Sequence, residues 1–400
     1  CYAARDLMKK PVDLDIAPLP GRINSRFTDK NPVVSGDGTK MVYVSELQFY
    51  DATFYSEKID GEWTPPRNII PELGVDGDVY PTCLSYDGTE MIIYRNDNFI
   101  GNLYSSTYED GRWTPMVKLN ENINTKYWES HGSLTRDGKV LYFTSNRKGG
   151  EGGLDIYRSY RLVNGGWGPP EHLGPVINSR YNEETPFITN NGQLLFFSSY
   201  GHYNMGGYDV FMSRRVNDTT WAPPVNMGYP INTTDDNIFF HPFNNGNNAY
   251  YAMFRETGQG RHDLYYLDVY SENNPRMYMI TGSLVPEEGE LGEDDQVKIY
   301  LVDRETGDTL LITAPGTEMG EFAFEAPQGQ YELRIGSETF DELIRPLEIT
   351  SGTDKEGFRI GETLTLTPKP YEPLLLVGED SRIEIDDTVF VAESGKPLDI

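Results

Sequence analysis

Ile177-Asn178-Ser179, Glu183, Pro186, Asn191-Gly192, Leu194-Leu195-Phe196-Phe197, Gly207-Tyr208-Asp209-Val210-Phe211 and Trp221-Ala222-Pro223-Pro224 follow one another in a single stretch, and the same order of signals returns elsewhere in the chain. Trp-x-Pro recurs at Trp63, Trp113, Trp167 and Trp221, in steps of 50, 54 and 54 residues. Asp-Gly or Asn-Gly pairs recur at Gly38, Gly88, Gly138, Gly192 and Gly246, in steps of 50, 50, 54 and 54. Two independent signals in one register make an internal repeat.

Each unit holds about four strand-like pieces, with a tight turn between apolar runs where φ must be positive. In the third unit these are Ser133-Leu134-Thr135, the turn at Asp137-Gly138, Val140–Thr144, Asp155–Ser159 and the Trp167 segment. Short strands rich in Tyr, Phe, Val and Ile at a period of roughly 40–50 residues suit propeller blades. Pro and Gly are too dense for helical repeats. The expected fold class is therefore all-β: a five-bladed β-propeller over residues 12–271, followed by a second domain. The fifth unit lacks Trp-x-Pro. Val12–Pro18, leading into Ile23-Asn24-Ser25, resembles Val225–Gly228 leading into Ile231-Asn232-Thr233. The N-terminal segment is thus expected to add the outer strand of the last blade and leave no open sheet edge in the ring.

Residues 1–11 read as the end of a helical segment stopped by Pro11. Cys1 is either part of an upstream helical domain or the lipidated first residue of a lipoprotein. Residues 276–367 alternate as about seven short strands, which argues a β-sandwich. Residues 368–400 are acidic and punctuated by Pro, and read as an extended linker or arm.

The 400 residues carry 34 Lys+Arg against 62 Asp+Glu, a net charge of −28. That balance argues against nucleic acid, whose binding is driven by phosphate neutralisation, and disfavours an anionic membrane surface. No apolar run reaches the length of about 18 residues that a spanning helix needs. The two cysteines, Cys1 and Cys83, give neither a disulfide framework nor metal-ligand spacing. No cofactor and no metal are expected. No Ser-His-Asp or Gly-x-Ser-x-Gly pattern occurs, and Gly149–Gly153 is followed by no helix, so it is no phosphate loop.

The repeats resemble the WD40-like, TolB-like propellers of bacterial envelope proteins. The resemblance is carried by Ser35–Gly38, Thr135–Gly138, Thr144-Ser145-Asn146-Arg147 and Gly153-Leu154-Asp155-Ile156-Tyr157. The following domain resembles carboxypeptidase regulatory-like sandwiches through Ile280-Thr281-Gly282, Asp303–Gly307, Gly320–Phe324 and Gly329–Leu333. This order of domains resembles the PorE-like family of type IX secretion bacteria, in which tetratricopeptide repeats, this propeller, this sandwich and an OmpA-like domain succeed one another. The resemblance implies a non-catalytic scaffold in the periplasm, associated with the outer membrane. Such a scaffold binds envelope proteins, possible secretion-system components among them, through the propeller. It reaches peptidoglycan only through a domain outside this chain.

Five residues after the repeated Asn come Asp29, Glu129, Glu183 and Asn237, and Asp78 takes the corresponding place in the second unit. These positions open the innermost strands. Two readings stand side by side: each carboxylate accepts hydrogen bonds from its own loop, or together they ring one mouth of the channel. They recur by symmetry, whereas a catalytic acid and base need different surroundings, so no catalytic residue is assigned. His131 and His241 precede inner strands and are placed at the same mouth. Tyr127, Trp128 and Phe240, with Tyr200, Tyr203 and Phe239, are loop aromatics suited to an interface or to packing between blades. The partner-binding set is therefore Trp128, Tyr127, His131, Phe240, His241, Asp29, Asp78, Glu129, Glu183 and Asn237. The alternative function is a surface lipoprotein that binds or cleaves glycans at the same mouth.

Overall fold

The structure, a computed structural model, describes residues 2–292, 295–315, 320–350, 358–359, 363–370, 382–385 and 388–391. The chain divides into two compact units, Cys1–Asn274 and Pro275–Ile400. Strands dominate both. Among the described residues one α-helix is present, Tyr2–Met8, with Ala3 and Ala4 buried. The reading of Cys1 falls outside the described residues.

The first unit is built from five antiparallel sheets, numbered I to V here. Sheet I holds Thr28–Val34, Lys40–Glu46, Asp51–Ile59, Glu62–Trp63 and Arg67–Asn68; sheet II holds Val79–Leu84, Glu90–Asp97, Ile100–Glu109, Arg112–Trp113 and Val117–Lys118. Sheet III holds Glu129–Leu134, Val140–Ser145, Asp155–Tyr160 and Glu171–His172; sheet IV holds Glu183–Ile188, Leu194–Ser199, Asp209–Arg214 and Val225–Asn226. Sheet V joins His241–Phe243, Asn248–Met253 and Asp263–Val269 to Leu14–Pro18 from the start of the chain. The expected closing strand is thus present: Leu14 lies opposite Val269 and Pro18 opposite Tyr265.

The turns between first and second strands follow from the repeated Asp-Gly and Asn-Gly pairs. Gly138 and Gly192 sit at φ 66° and 69°, where a Cβ would be strained. The preceding acid ties the turn: Asp137 Oδ1 accepts from Thr135 Oγ1 at 2.8 Å and from the Lys139 N–H at 3.1 Å.

Five hydrophobic clusters lie between neighbouring sheets, one for each pair I–II, II–III, III–IV, IV–V and V–I. The Trp of each repeat packs back against the preceding sheet. Trp63 meets Tyr250 edge-on at 6.4 Å, and Trp221 meets Tyr142 at 6.3 Å. Sheet V takes its fourth strand from residues 14–18, which carry no Trp, and Val12, Leu14 and Ile16 pack against the IV–V cluster instead. The arrangement is propeller-like, with the first strands of all five sheets facing one small central cavity.

The second unit has two sheets around one hydrophobic cluster. Met277–Pro286 pairs with Glu321–Pro327 and, in parallel, with Phe358–Arg359 and Leu364–Leu366. Thr309–Thr313, Lys298–Asp303, Gly329–Gly336 and Leu343–Ile349 form the other sheet. Strict alternation sends Phe322, Phe324 and Ala326 inward, where they join Ile280, Ile299, Leu333 and Ile335. Of residues 368–400, the short strands Arg382–Ile385 and Thr388–Val391 pair with each other. Apart from these and residues 368–370, the expected arm lies outside the described residues.

Candidate functional site

The Ile-Asn-Ser/Thr triplet does three separate jobs. Its Ile is buried between sheets at Ile23, Ile123, Ile177 and Ile231. Its Asn clamps the third strand of the neighbouring sheet by a donor–acceptor pair. Asn178 accepts from the Ile156 N–H at 2.7 Å and donates to the Ile156 carbonyl at 3.0 Å. Asn24 holds Leu264, Asn124 holds Leu103 and Asn232 holds Val210 in the same way. Its Ser or Thr donates to the acid that opens the next first strand. Ser179 gives its N–H and its hydroxyl to Glu183 at 2.9 and 2.6 Å, and Ser199 adds a third bond at 2.7 Å. Thr125 and Ser145 serve Glu129 identically, Ser25 serves Asp29, and the Thr233 N–H serves Asn237.

These four residues are therefore buried struts of their own loops. Burial lifts the carboxyls of Asp29 and Glu183 above the ordinary range, against the opposing hydrogen bonds from their serines. Asp78 needs a larger correction. In the ladder the residue equivalent to Glu129 is Val79, which pairs with Arg95 and is buried. Asp78 stands one residue earlier, exposed at φ 54°, and accepts the Asp51 N–H at 3.1 Å. The second unit has no Ile-Asn-Ser, so the buried polar contact is replaced by apolar packing.

Phe240 is also corrected: it is buried against Phe196 and Tyr251 at 5.9 and 5.5 Å, within the IV–V cluster. His241 lines the central cavity but is committed to it. The Val34 N–H donates to its Nε2 at 3.1 Å, and burial pushes its pKa down to about 3. The cavity measures about 20 Å³, room for about one water.

The residues that do gather at the mouth come from the position after the repeated acid and from facing strands. A bulge in each first strand of sheets I–IV re-aims this position. It holds Lys30, Tyr80, Ser130, Glu184 and Ile238, a different residue in every sheet. Tyr94 is the hub: Tyr80 lies 6.0 Å from it, Trp128 5.9 Å and His131 5.7 Å, ring centre to ring centre. Trp128 is half-buried and rests on Gly101, where a Cβ would come within 2.9 Å of the indole. Tyr127 beside it is half-buried, with the Lys126 ammonium 5.5 Å above its ring.

His131 packs on Phe239 at 5.4 Å, and its Nδ1 approaches Glu184 Oε2 at 3.6 Å without a hydrogen bond. Burial pushes the His131 pKa down to about 4, so the imidazole is neutral at pH 7. Burial raises the Glu184 carboxyl, opposed by the Tyr208 hydroxyl that donates to it at 3.0 Å. Tyr80, Tyr94, Glu184 and Tyr208 were not singled out in the sequence. For Tyr80 and Glu184 the signal available was the position after the repeated acid, which holds a different residue in every sheet; Tyr94 and Tyr208 carry no such signal. Among the described residues no group of three or more His, Cys, Asp or Glu side chains could hold a metal ion, and no helix is long and apolar enough to cross a membrane.

No family model matches the chain, and no curated protein matches it in sequence. Among solved structures, TolB from Acinetobacter baumannii is similar at 17% identity and TM-score 0.42, over 63% of this chain and 56% of that one. This chain thus spans little more than half the length of that TolB. A putative TolB from Agrobacterium tumefaciens is similar at 16% identity and TM-score 0.36, over 60% of this chain and 74% of its own. The catalytic domain of a Coprinopsis cinerea GH62 alpha-L-arabinofuranosidase is similar at 12% identity and TM-score 0.42, over 65% of this chain and 97% of its own.

Proposed function

We propose that this chain is a non-catalytic scaffold of the bacterial envelope. Its first unit is read as a closed five-bladed, TolB-like propeller that holds partner proteins at the mouth around Tyr94, Trp128 and Glu184. Its second unit is read as a carboxypeptidase regulatory-like β-sandwich. That sandwich links the partners to a peptidoglycan-anchoring module of OmpA-like type, outside this chain. The PorE-like family supplies the setting: a secretion or outer-membrane assembly, on the periplasmic side. One observation carries the non-catalytic reading. The repeated acids Glu129 and Glu183 are buried and satisfied by their own loops, and neither lines the central cavity. Glycoside cleavage needs two accessible carboxyl groups roughly 5–10 Å apart with a sugar between them.

A second reading, a surface lipoprotein acting on glycans, draws on the rim itself. Trp128 can stack on a sugar, and Glu184 has the raised pKa of a general acid. Two assays separate the readings. In affinity capture from solubilised envelopes, the wild type is expected to retain a specific set of proteins and Trp128→Ala to lose it. In a glycan panel, turnover by the wild type that disappears in Glu184→Gln overturns the scaffold reading.

A further inference from the structure

Sheet V is where the ring's own ladder stops short. In sheet IV the first strand pairs from its outset, Glu183 opposite Ser199 and Glu184 opposite Ser198. Sheets I, II and III likewise pair the corresponding residues, Asp29–Ser45, Val79–Arg95 and Glu129–Ser145. In sheet V the first strand is only His241–Phe243, and residues 237–240 pair with nothing on the second strand, Asn248–Met253. Ala252 takes the place that Ser198 has in sheet IV.

The direction of its backbone groups follows from its neighbour. Ala252 lies opposite Leu264. The Leu264 N–H and carbonyl are taken on the far side by Asn24, at 2.7 and 3.0 Å, and the carbonyl also by the Leu19 N–H. Opposed residues of an antiparallel pair either both face each other or both face away. Leu264 faces away, so the Ala252 N–H and carbonyl point to the open edge. Among the described residues no hydrogen bond takes up either group.

Beside this edge lies an open slot of about 480 Å³, inside the range of roughly 300–1,000 Å³ that ligand pockets span. Its walls include Ile238, Phe239, Met253 and Phe254, the last 62% exposed. The charge of the slot is acidic. Lys30 is shared by Glu46 and by Asp51, the latter at 3.2 Å. Asp235 and Asp236 have no cationic partner among the described residues. The Tyr208 N–H and the Tyr200 hydroxyl hold Asp236 at 3.0 and 3.1 Å, which fixes its carboxylate without cancelling its charge. His262, also on the wall, has its pKa lowered by burial and then by Arg261, so it adds no positive charge at pH 7.

We infer that this slot receives a short extended segment of a partner protein, which pairs with Ala252 as the missing strand and sets a Lys or Arg against Asp235 and Asp236. An extended backbone offers a donor and an acceptor on one side at every second residue, which is what the open edge lacks. The acidic wall selects a basic side chain, and the exposed Phe254 covers an apolar one. The inference rests on the scaffold reading, for which it names a docking point and the chemistry of the docked segment.

The test uses the full chain with a defined probe, acetyl-Lys-Val-Thr-Val-Lys-amide, and its Glu-flanked twin as control. Amide exchange at Ala252 is followed by NMR. The Lys peptide at saturating concentration is expected to slow it by about tenfold or more, and the Glu peptide to leave it unchanged. Asp235→Lys, an exposed substitution checked by an unchanged melting temperature, is expected to reverse that preference. No slowing with either peptide, or equal slowing with both, overturns the proposal. Envelope capture run in parallel separates the two levels. If proteins are retained regardless of the peptide and of Asp235→Lys, and Ala252 stays unprotected, the slot is wrong and the scaffold stands. If Ala252 is protected but nothing is retained, the scaffold reading fails and the slot stands.

Discussion

Sheets IV and V are built from the same repeat, yet they meet the central cavity differently. Sheet IV brings Glu183 and Glu184 into a continuous ladder with Ser198 and Ser199, while sheet V leaves Ile238, Phe239 and Phe240 outside its ladder. At the outer edge the contrast is reversed in origin: sheet IV ends in its own Val225–Asn226, and sheet V borrows Leu14–Pro18. What repeats holds the ring together. What departs from the repeat faces the mouth, because a position free of structural duty can carry a different side chain in each sheet.

The borrowed strand offers the hardest way to break this comparison. Deleting residues 1–20 removes five ladder pairs from sheet V and takes Leu19 out of the V–I cluster. A fall in melting temperature of more than about 10 °C is expected, measured by differential scanning calorimetry. An unchanged melting temperature would mean that the ring does not depend on that strand.

Trp167→Ala tests the repeating side by itself. The indole is buried between sheets II and III, so its loss is expected to cost about 3–5 kcal/mol by chemical denaturation. Trp128→Ala, at the half-buried mouth, is expected to cost about 1–2 kcal/mol. Equal costs would erase the distinction between scaffold and mouth. Asn178→Ala leaves the Ile156 N–H and carbonyl without their clamp, and about 2–3 kcal/mol is expected.

The spacing of turns and Trp residues was legible because each has one physical reason that cannot be met by many other residues. Gly138 needs positive φ, and Trp167 fills an inter-sheet gap. The four polar residues after Ile-Asn-Ser/Thr were legible as a set but not in role, since a repeated carboxylate looks the same whether it faces a channel or its own loop. Asp78 was misplaced by one residue because the second unit replaces the acid with Val79. The cluster of Tyr80, Tyr94, Glu184 and Tyr208 was illegible as a cluster: it is assembled from sheets II and IV, and the repeat offset shared by Tyr80 and Glu184 does not extend to Tyr94 or Tyr208. Phe240 was taken for a loop aromatic because the loss of strand pairing in sheet V disguises a core residue.

The smallest effect expected is on pH dependence, and it separates two kinds of carboxylate. Asp137 is held below its usual range: burial opposes this, but the Thr135 hydroxyl and the Lys139 N–H outweigh it. Its contribution to stability is present above the unfolded-state pKa and lost as pH falls through the folded one. Glu184 is raised by burial, so its contribution is present below the unfolded-state pKa and lost as pH rises through the folded one. In urea denaturation across pH, Asp137→Asn is expected to soften the loss of stability on acidification. Glu184→Gln is expected to soften the loss on the neutral side of the carboxylate range. Identical profiles would mean that the two carboxylates share one environment.

The central claim is that partner proteins dock where the repeat is broken and not where it is kept. It is tested most directly by quantitative capture of envelope proteins on Trp128→Ala and on Glu183→Gln, each normalised to its folded fraction. The expected result is loss of the retained proteins with Trp128→Ala and their full retention with Glu183→Gln. Full retention with Trp128→Ala together with loss in Glu183→Gln would contradict the account.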